Sequence, residues 1–581
     1  MKKLISLLLL LALMMSIMPT SLAQEAPTVV TLALWHSVDM DNGKWYQANE
    51  LKLLKEKYNI DLQYQYYDTD QFSLLMAGGK LPDIVTCSDS YITTVLDNNM
   101  ALNLDPLIEK YAPNMALDIY TSSHELSRTL MGGADKQLYF LFPGVGPEDL
   151  NSNDSDSWGI RLRWDLYKQL GCPEINTADD YIKVMKDMIA LYPETASGEK
   201  VYGTGTWDVF SRWYQTGCLL VDGGALNPWV FGGTMYMSGW DDTVLYNGYT
   251  NFDRSAYWTA MSFFHKCYTE GLLDPDSFIM TRDELTAKYA AGRYVAAVPY
   301  EGTALYKETV KEDPNTLIGI MNLGSPAAFV FADKLALTGN APSDNIFVNA
   351  KSENWEAALK VLDFFHDPET IRTTFCGIKG VDWDVDANGV PALTERALNN
   401  IKTLKSGTDE YIAETGIIGQ LTEWTLFCGT GVAPDGYPYD LGRTYEVRAQ
   451  VLTPLQKDFA DYHDVICPSK YYMSLVDEGK TISVVGDYGQ MIAAGISEIP
   501  MDIKRIMDQC SDIAYRAIPE LVMAESDAEY EEIKARLLKE WADAGEATAW
   551  AWAEENFNAV KAEMQPIFEA ARTSFLATKK E

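Results

Sequence analysis

Between Gly78 and Pro113 the chain runs through an order of pieces that few architectures accommodate. Gly78, Gly79, Lys80, Leu81 and Pro82 lead into a short apolar run, Asp83-Ile84-Val85-Thr86-Cys87, and the polar loop Ser88-Asp89-Ser90 then opens a helix. Further on, Asp105 reads as an N-cap with Pro106 at the first helical position, and Pro113 ends the segment. An open α/β sheet presents a ligand site in this way, with a strand delivering a hydroxyl-rich loop to a helix N-terminus.

The flanking segments continue the alternation. Val29 to Trp35 is a β-type run, Asn49 to Tyr58 an amphipathic helix, and Ile60 to Tyr67 an alternating second strand. Their β-α-β order implies a largely parallel sheet. Pro143 to Trp158, rich in Gly, Pro, Asn, Ser and Asp, marks a crossover between lobes. Arg161 to Gly171 is a strand edge that runs into a helix with a glycine stop; Arg161 and Arg163 are expected to form ordinary surface ion pairs. Thr177 and Asp180 approximate a capping box for a helix to Leu191, and an aromatic helix spans Ser255 to Glu270 before Gly271. A strand at Tyr294 to Val298, a helix from Glu353 to His366 and an almost continuous helical stretch from Asp527 to Phe575 complete the pattern, with no internal repeat.

The N-terminus has the three parts of a secretory signal: Lys2 and Lys3, an apolar core from Leu4 to Ile17, and a small-residue end from Pro19 to Ala23. Cleavage is expected after Ala23, which places the chain outside the cytoplasm. No later stretch approaches the ~20 apolar residues of a membrane-spanning helix, so an integral membrane protein is not expected. A formal charge of −36 argues against nucleic acid or an anionic membrane as partner. The chain's 15 Trp and 33 Tyr exceed what packing needs and suit a groove in which rings stack on sugar faces. Eight widely spaced cysteines form no C-x-x-C pair, and the five histidines form no H-E-x-x-H, so no metal or other cofactor is expected.

Taken in order, several pieces resemble the extracellular solute-binding proteins, family 1, of bacterial ABC transporters, most of all the large lipoprotein-type branch. They are Leu81-Pro82-Asp83-Ile84, Leu104 to Asn114, Arg161 to Gly171, Glu270 to Pro275, Gly377 to Trp383, and the C-terminal helices near Tyr530 to Phe557. The resemblance implies an α/β, two-lobed periplasmic-binding-protein-like fold of type II, each lobe a mainly parallel sheet flanked by helices, with a helical C-terminus. It implies closure on an oligosaccharide and delivery to ABC permease subunits, without catalysis. On this chain the expected division is a signal over 1–23, one lobe from 24–150 with about 302–350, and the other from about 151–301 with 351–581. Hinges are expected near 143–158 and 299–305, in a protein that acts as a monomer. Two departures stand out. Ser21-Leu22-Ala23-Gln24 has no lipobox cysteine, and Tyr192 to Lys200 lacks the carboxylate ladder of the family's calcium loop.

Ligand-binding candidates are aromatic and polar residues in loops at strand ends: Trp35, His36, Ser88, Asp89, Ser90, Trp207, Asp208, Trp229, Trp240, Tyr300, Glu301 and Trp424. An aromatic ring covers an apolar sugar face while a carboxylate or amide takes the hydroxyls. Each tryptophan has packing as its ordinary alternative, and Ser88, Asp89 and Ser90 have helix capping. Trp213, Trp355, Trp541, Trp550 and Trp552 lie in helical runs and are read as packing. Asp384, Asp386, Asn388, Gly389 and Glu395 match the EF-hand spacing, but the surrounding residues read better as a β-hairpin turning at Ala387-Asn388-Gly389. The rival reading is a secreted glycoside hydrolase, which needs two carboxylates ~5–10 Å apart. The strand-helix order lacks the eight β/α units of a barrel, and the family resemblance implies no spare catalytic module.

Overall fold

The computed structural model describes residues 26–34, 44–143, 146–149, 161–207, 216–217, 220, 226–227, 231, 234–239, 243–297, 315–323, 329–330, 333–336, 345–418, 431–480, 482–483, 488–496 and 499–578. The chain opens with strand β1 (Thr28–Leu34), helix α1 (Asn49–Tyr58), strand β2 (Ile60–Tyr66), helix α2 (Thr69–Gly78) and strand β3 (Ile84–Cys87). Val30, Leu32 and Ala33 are wholly buried, as befits a central strand covered on both faces. β1 pairs in parallel with β2 on one side and with β3 on the other. Asn59 ends α1 in the left-handed region and turns the chain straight into β2. Asp68 and Gln71 form a capping box at the start of α2, and Gly79, with φ of 65°, terminates it before β3.

The stretch after β3 departs from expectation. Helix begins only at Ile108 and runs to Tyr111, with Leu107 rather than Asp105 at its N-cap. The Asp105 carboxylate is engaged elsewhere: Oδ2 accepts from the Leu138 amide at 2.9 Å, and Oδ1 from Arg128 Nη2 at 2.7 Å. That arginine lies on helix α3 (Thr121–Met131). A charged tertiary donor outcompetes the local cap, because a hydrogen bond with both partners ionised is the stronger one.

The second sheet starts with strand β4 (Arg161–Arg163), which feeds helices α4 (Trp164–Gln169) and α5 (Ala178–Leu191), the latter opened by the Thr177/Asp180 capping box. Helix α6 (Ala256–Thr269) and strands β5 (Ala296–Ala297) and β6 (Ile320–Asn322) follow. β4 lies between β6 and β5 and is antiparallel to both, where a mainly parallel sheet was the expectation. Parallel bridges at Tyr202–Tyr294 and Thr204–Leu273 extend it, so this sheet is mixed. The expectation that Arg161 and Arg163 pair at the surface is also corrected: they are 0% and 3% exposed. Strand pairing buries them, and Arg163 binds Asp165 at 2.6 Å while its guanidinium lies 4.4 Å from the Tyr192 ring centre.

Gly146–Asp149 pairs antiparallel with Asp333–Ala336, after which the chain re-enters the first sheet as strand β7 (Asn345–Val348), antiparallel to β3. The first sheet therefore runs β7-β3-β1-β2. Helix α7 (Trp355–Phe365) packs on it, placing Leu359, Leu362 and Phe365 in one buried cluster with Val30, Leu32 and Ile84. Helix α8 (Pro368–Cys376) leads to a hairpin of β8 (Trp383–Val385) and β9 (Pro391–Leu393). Its turn is made by Asp386, whose Oδ1 accepts from Asn388 N and Val390 N. The EF-hand spacing thus belongs to a hairpin, and its second carboxylate, Asp386, serves the backbone.

Three long helices close the chain: α9 (Met501–Val522), α10 (Asp527–Ala544) and α11 (Glu546–Thr578). Tyr257 on α6 donates to Ala514 O, and Trp541 Nε1 donates to Cys510 O, locking α6, α9 and α10 together. Trp541 is 1% exposed, and Trp355, Trp550 and Trp552 pack against the core; Trp213 lies outside the described residues. Among the described residues no helix is long and apolar enough to cross a membrane.

Candidate functional site

In the first sheet the chain leaves β1 for β2 on one side, and then crosses to β3 on the other. The connections part at the carboxyl ends of β1 and β3, and such a switch point opens the crevice where open α/β sheets bind ligands. β1 ends at Leu34, and Trp35 and His36 lie outside the described residues. β3 ends at Cys87 and delivers Ser88, Asp89 and Ser90 to the crevice edge.

These three residues form one polar turn. Ser88 Oγ and Ser90 Oγ are 2.6 Å apart, and Ser88 O accepts from Tyr91 N. Neither serine caps the turn or the helix Ile92–Asp97 through its side chain. Asp89 does not cap it either; its Oδ1 accepts from Asn345 Nδ2 at 2.7 Å. Asp89 is half-buried and Asn345 wholly buried. Burial pushes the Asp89 carboxyl up to about 6, against the opposing pull of the Asn345 amide. Tyr91 anchors the turn from behind, its ring edge-on to Phe72 at 5.2 Å and its hydroxyl 2.9 Å from Ser73 Oγ. The turn offers ligand hydroxyls two hydroxyl groups and a carboxylate.

Trp207 belongs to the other sheet. It follows Thr204-Gly205-Thr206, and a side chain at Gly205 would meet the Tyr294 hydroxyl at 2.6 Å, so only glycine lets this backbone pass. The Trp207 ring is half-buried against the cluster of Met280, Leu285, Tyr289 and Tyr294, with the Arg282 guanidinium 5.8 Å from its centre. Part of the ring is therefore packing and part faces outward. Asp208, Trp229, Trp240, Tyr300, Glu301 and Trp424 lie outside the described residues.

Sequence reasoning missed Asn345. Its signal is slight: an asparagine heading the apolar run Ile346-Phe347-Val348 after Ser343-Asp344. Only the antiparallel register, which sets Asn345 opposite Cys87, brings it to the same edge as Asp89. Among the described residues no group of three His, Cys, Asp or Glu side chains is placed to hold a metal ion.

No family model matches this chain, and no curated protein matches it by sequence. Solved structures do match over nearly its full length. A solute-binding protein from Bifidobacterium longum infantis, described as HMO-binding and ABC-transporter associated, has a TM-score of 0.58 at 14% identity, covering 92% of this chain and 99% of its own. A Streptococcus pneumoniae ABC-transporter substrate-binding protein in complex with kestose has a TM-score of 0.54 at 16% identity, covering 92% and 100%. An alginate-binding protein, solved without calcium ion, has a TM-score of 0.53 at 14% identity, covering 92% and 98%. The α/β fold with its helical C-terminus is thus the two-lobed fold of ABC-transporter solute-binding proteins.

Proposed function

We propose that this chain is an extracytoplasmic solute-binding protein of family 1, which holds an oligosaccharide between two lobes and hands it to an ABC permease without making or breaking a bond. The observation that carries this reading is the Ser88-Asp89-Ser90 turn at the switch point of a sheet whose whole-chain fold aligns with such proteins. The first lobe comprises 24–150 with about 302–350. The second lobe takes about 151–301 with 351–581, except that helix α7 is counted with the first because its apolar face packs on that sheet. Hinge bending near 143–158 and 299–305 brings Trp207 and its neighbours over a ligand first met by the Asp89 turn. Residues 1–23 are removed on export, and the mature chain acts as a monomer.

Calorimetric titration of the mature protein with neutral oligosaccharides, followed by product analysis, tests the reading. Stoichiometric retention with a raised melting temperature is expected. Release of shortened sugars overturns it in favour of a hydrolase, and absence of binding across the panel overturns it outright. Trp207→Ala is expected to weaken binding about tenfold with only a modest drop in melting temperature, since its ring is half-buried. A large drop in melting with unchanged affinity assigns the ring to packing alone.

A further inference from the structure

Asn345 is the first residue of β7, and its side chain is withdrawn completely from solvent. It gives Nδ2 to Asp89 Oδ1 across the strand pair, 256 positions away in sequence. Asp89 Oδ2 accepts no hydrogen bond among the described residues, and no charged side chain among them acts on this carboxyl. Ser88 and Ser90, whose hydroxyls bond each other, flank it on its own turn, and Asn345 reaches it from β7. We infer that Asn345 is a positioning residue for ligand discrimination: it pins one oxygen of Asp89 and leaves the other to a ligand hydroxyl, so that the site takes neutral sugars and rejects those bearing a carboxylate. The inference rests on the sugar-binding reading above.

The chemistry follows from charge at short range. An ionised carboxylate accepts a hydroxyl in a short, charge-assisted bond, whereas a second carboxylate at the same distance is repelled with little screening in a half-buried crevice. The amide matters because its bond favours the charged form against the burial that opposes it. Discrimination should hold above about pH 6 and fade below it, as Asp89 takes up a proton. Without the amide, burial acts unopposed and the changeover moves to higher pH.

The test is titration of the full mature chain with maltotriose, xylotriose and mannotriose as neutral probes and trigalacturonate as the anionic one, on either side of pH 6. Wild type is expected to prefer a neutral probe above pH 6 and to lose part of that preference below it. Asp89→Asn, at a half-exposed position that keeps a partner for Asn345, is expected to bind the neutral probe about tenfold more weakly and to lose the pH dependence. Asn345→Leu is expected to shift the midpoint of the pH profile upward. A destabilised Asn345→Leu with an unmoved midpoint shows a purely structural asparagine and overturns the inference. Wild-type affinity, selectivity and pH profile in Asp89→Asn overturn it equally, as does a preference for trigalacturonate above pH 6. If wild type binds none of the probes, the sugar-binding reading falls and takes this inference with it; in the other cases the inference falls alone.

Discussion

Glu50 occupies the first turn of α1 and is only 4% exposed, with no hydrogen-bond partner for Oε2 among the described residues. Burial pushes its carboxyl up to about 7, outweighing its own backbone hydrogen bond and the charge of Lys52. A raised carboxyl makes the folded state bind a proton that the unfolded chain has released. Its contribution to stability is therefore complete below the ordinary value of 4.5 and is lost as pH rises through about 7. Buried histidines act in the opposite sense. His366, whose Nδ1 faces Leu362 O at 2.6 Å, is held down to about 4 by burial, and His124 is held down to about 3 by burial and by the charges of His366 and Arg128. Their contribution is present above 6.5 and is lost as pH falls through those lower values. Glu50→Gln is expected to leave acid stability unchanged and to add on the order of 3 kcal/mol above pH 7, by the free energy of the shift. Chemical denaturation of both proteins at pH 4.5 and pH 8 checks this; parallel pH profiles would show that Glu50 ionises without cost.

At the scale of elements, spacing alone located those whose ends are made by their own neighbours. The Thr177/Asp180 box begins α5, Ser255 caps α6, and Gly271, at φ 70°, stands just past the end of α6. What remained hidden was decided by residues far along the chain. Asp105 has the local grammar of a cap, yet Arg128 and the Leu138 amide take its carboxylate. Arg161 and Arg163 look like surface charges until β5 and β6 close over β4. The candidate site divides in the same way: the Ser88-Asp89-Ser90 turn was legible from its strand-loop-helix order, whereas Asn345 reaches it only through sheet register. The Asp105 reading has a direct check in a double-mutant cycle with Arg128. Asp105→Ala is expected to cost about 2–4 kcal/mol, since it leaves the partly buried Arg128 with Glu125 alone and takes the acceptor from the Leu138 amide, against about 1 kcal/mol for loss of a helix cap. A coupling of at least ~1 kcal/mol between Asp105→Ala and Arg128→Ala would mark the tertiary pair, and additivity would restore the cap.

At the scale of the whole molecule, the chain is threaded so that the strands of the second sheet, all between Arg161 and Asn322, are inserted within the first. β7 completes the first sheet after the chain has built the strands of the second, and Gly146–Asp149 with Asp333–Ala336 carry the two crossings as a single antiparallel pair. Helix α11 packs on both α9 and α3, and Gly495 fits against Met564, Val560 and Leu130 with no room for a side chain. Paired crossing strands resist shear but permit rotation about their axis, so the motion proposed for ligand capture is a rigid hinge rather than local unfolding. A fully compact chain of 581 residues has a radius of gyration of roughly 25 Å. Small-angle scattering of the free protein is expected to lie above that value and to contract toward it as the preferred neutral oligosaccharide saturates, with the same midpoint as calorimetric binding. Asp89→Asn should contract to the same end point at about tenfold higher ligand concentration, because the substitution weakens first contact and leaves the hinge intact. Saturation without contraction would mean that the ligand sits on one lobe, and the two-lobed capture mechanism would fall while sugar binding itself stood.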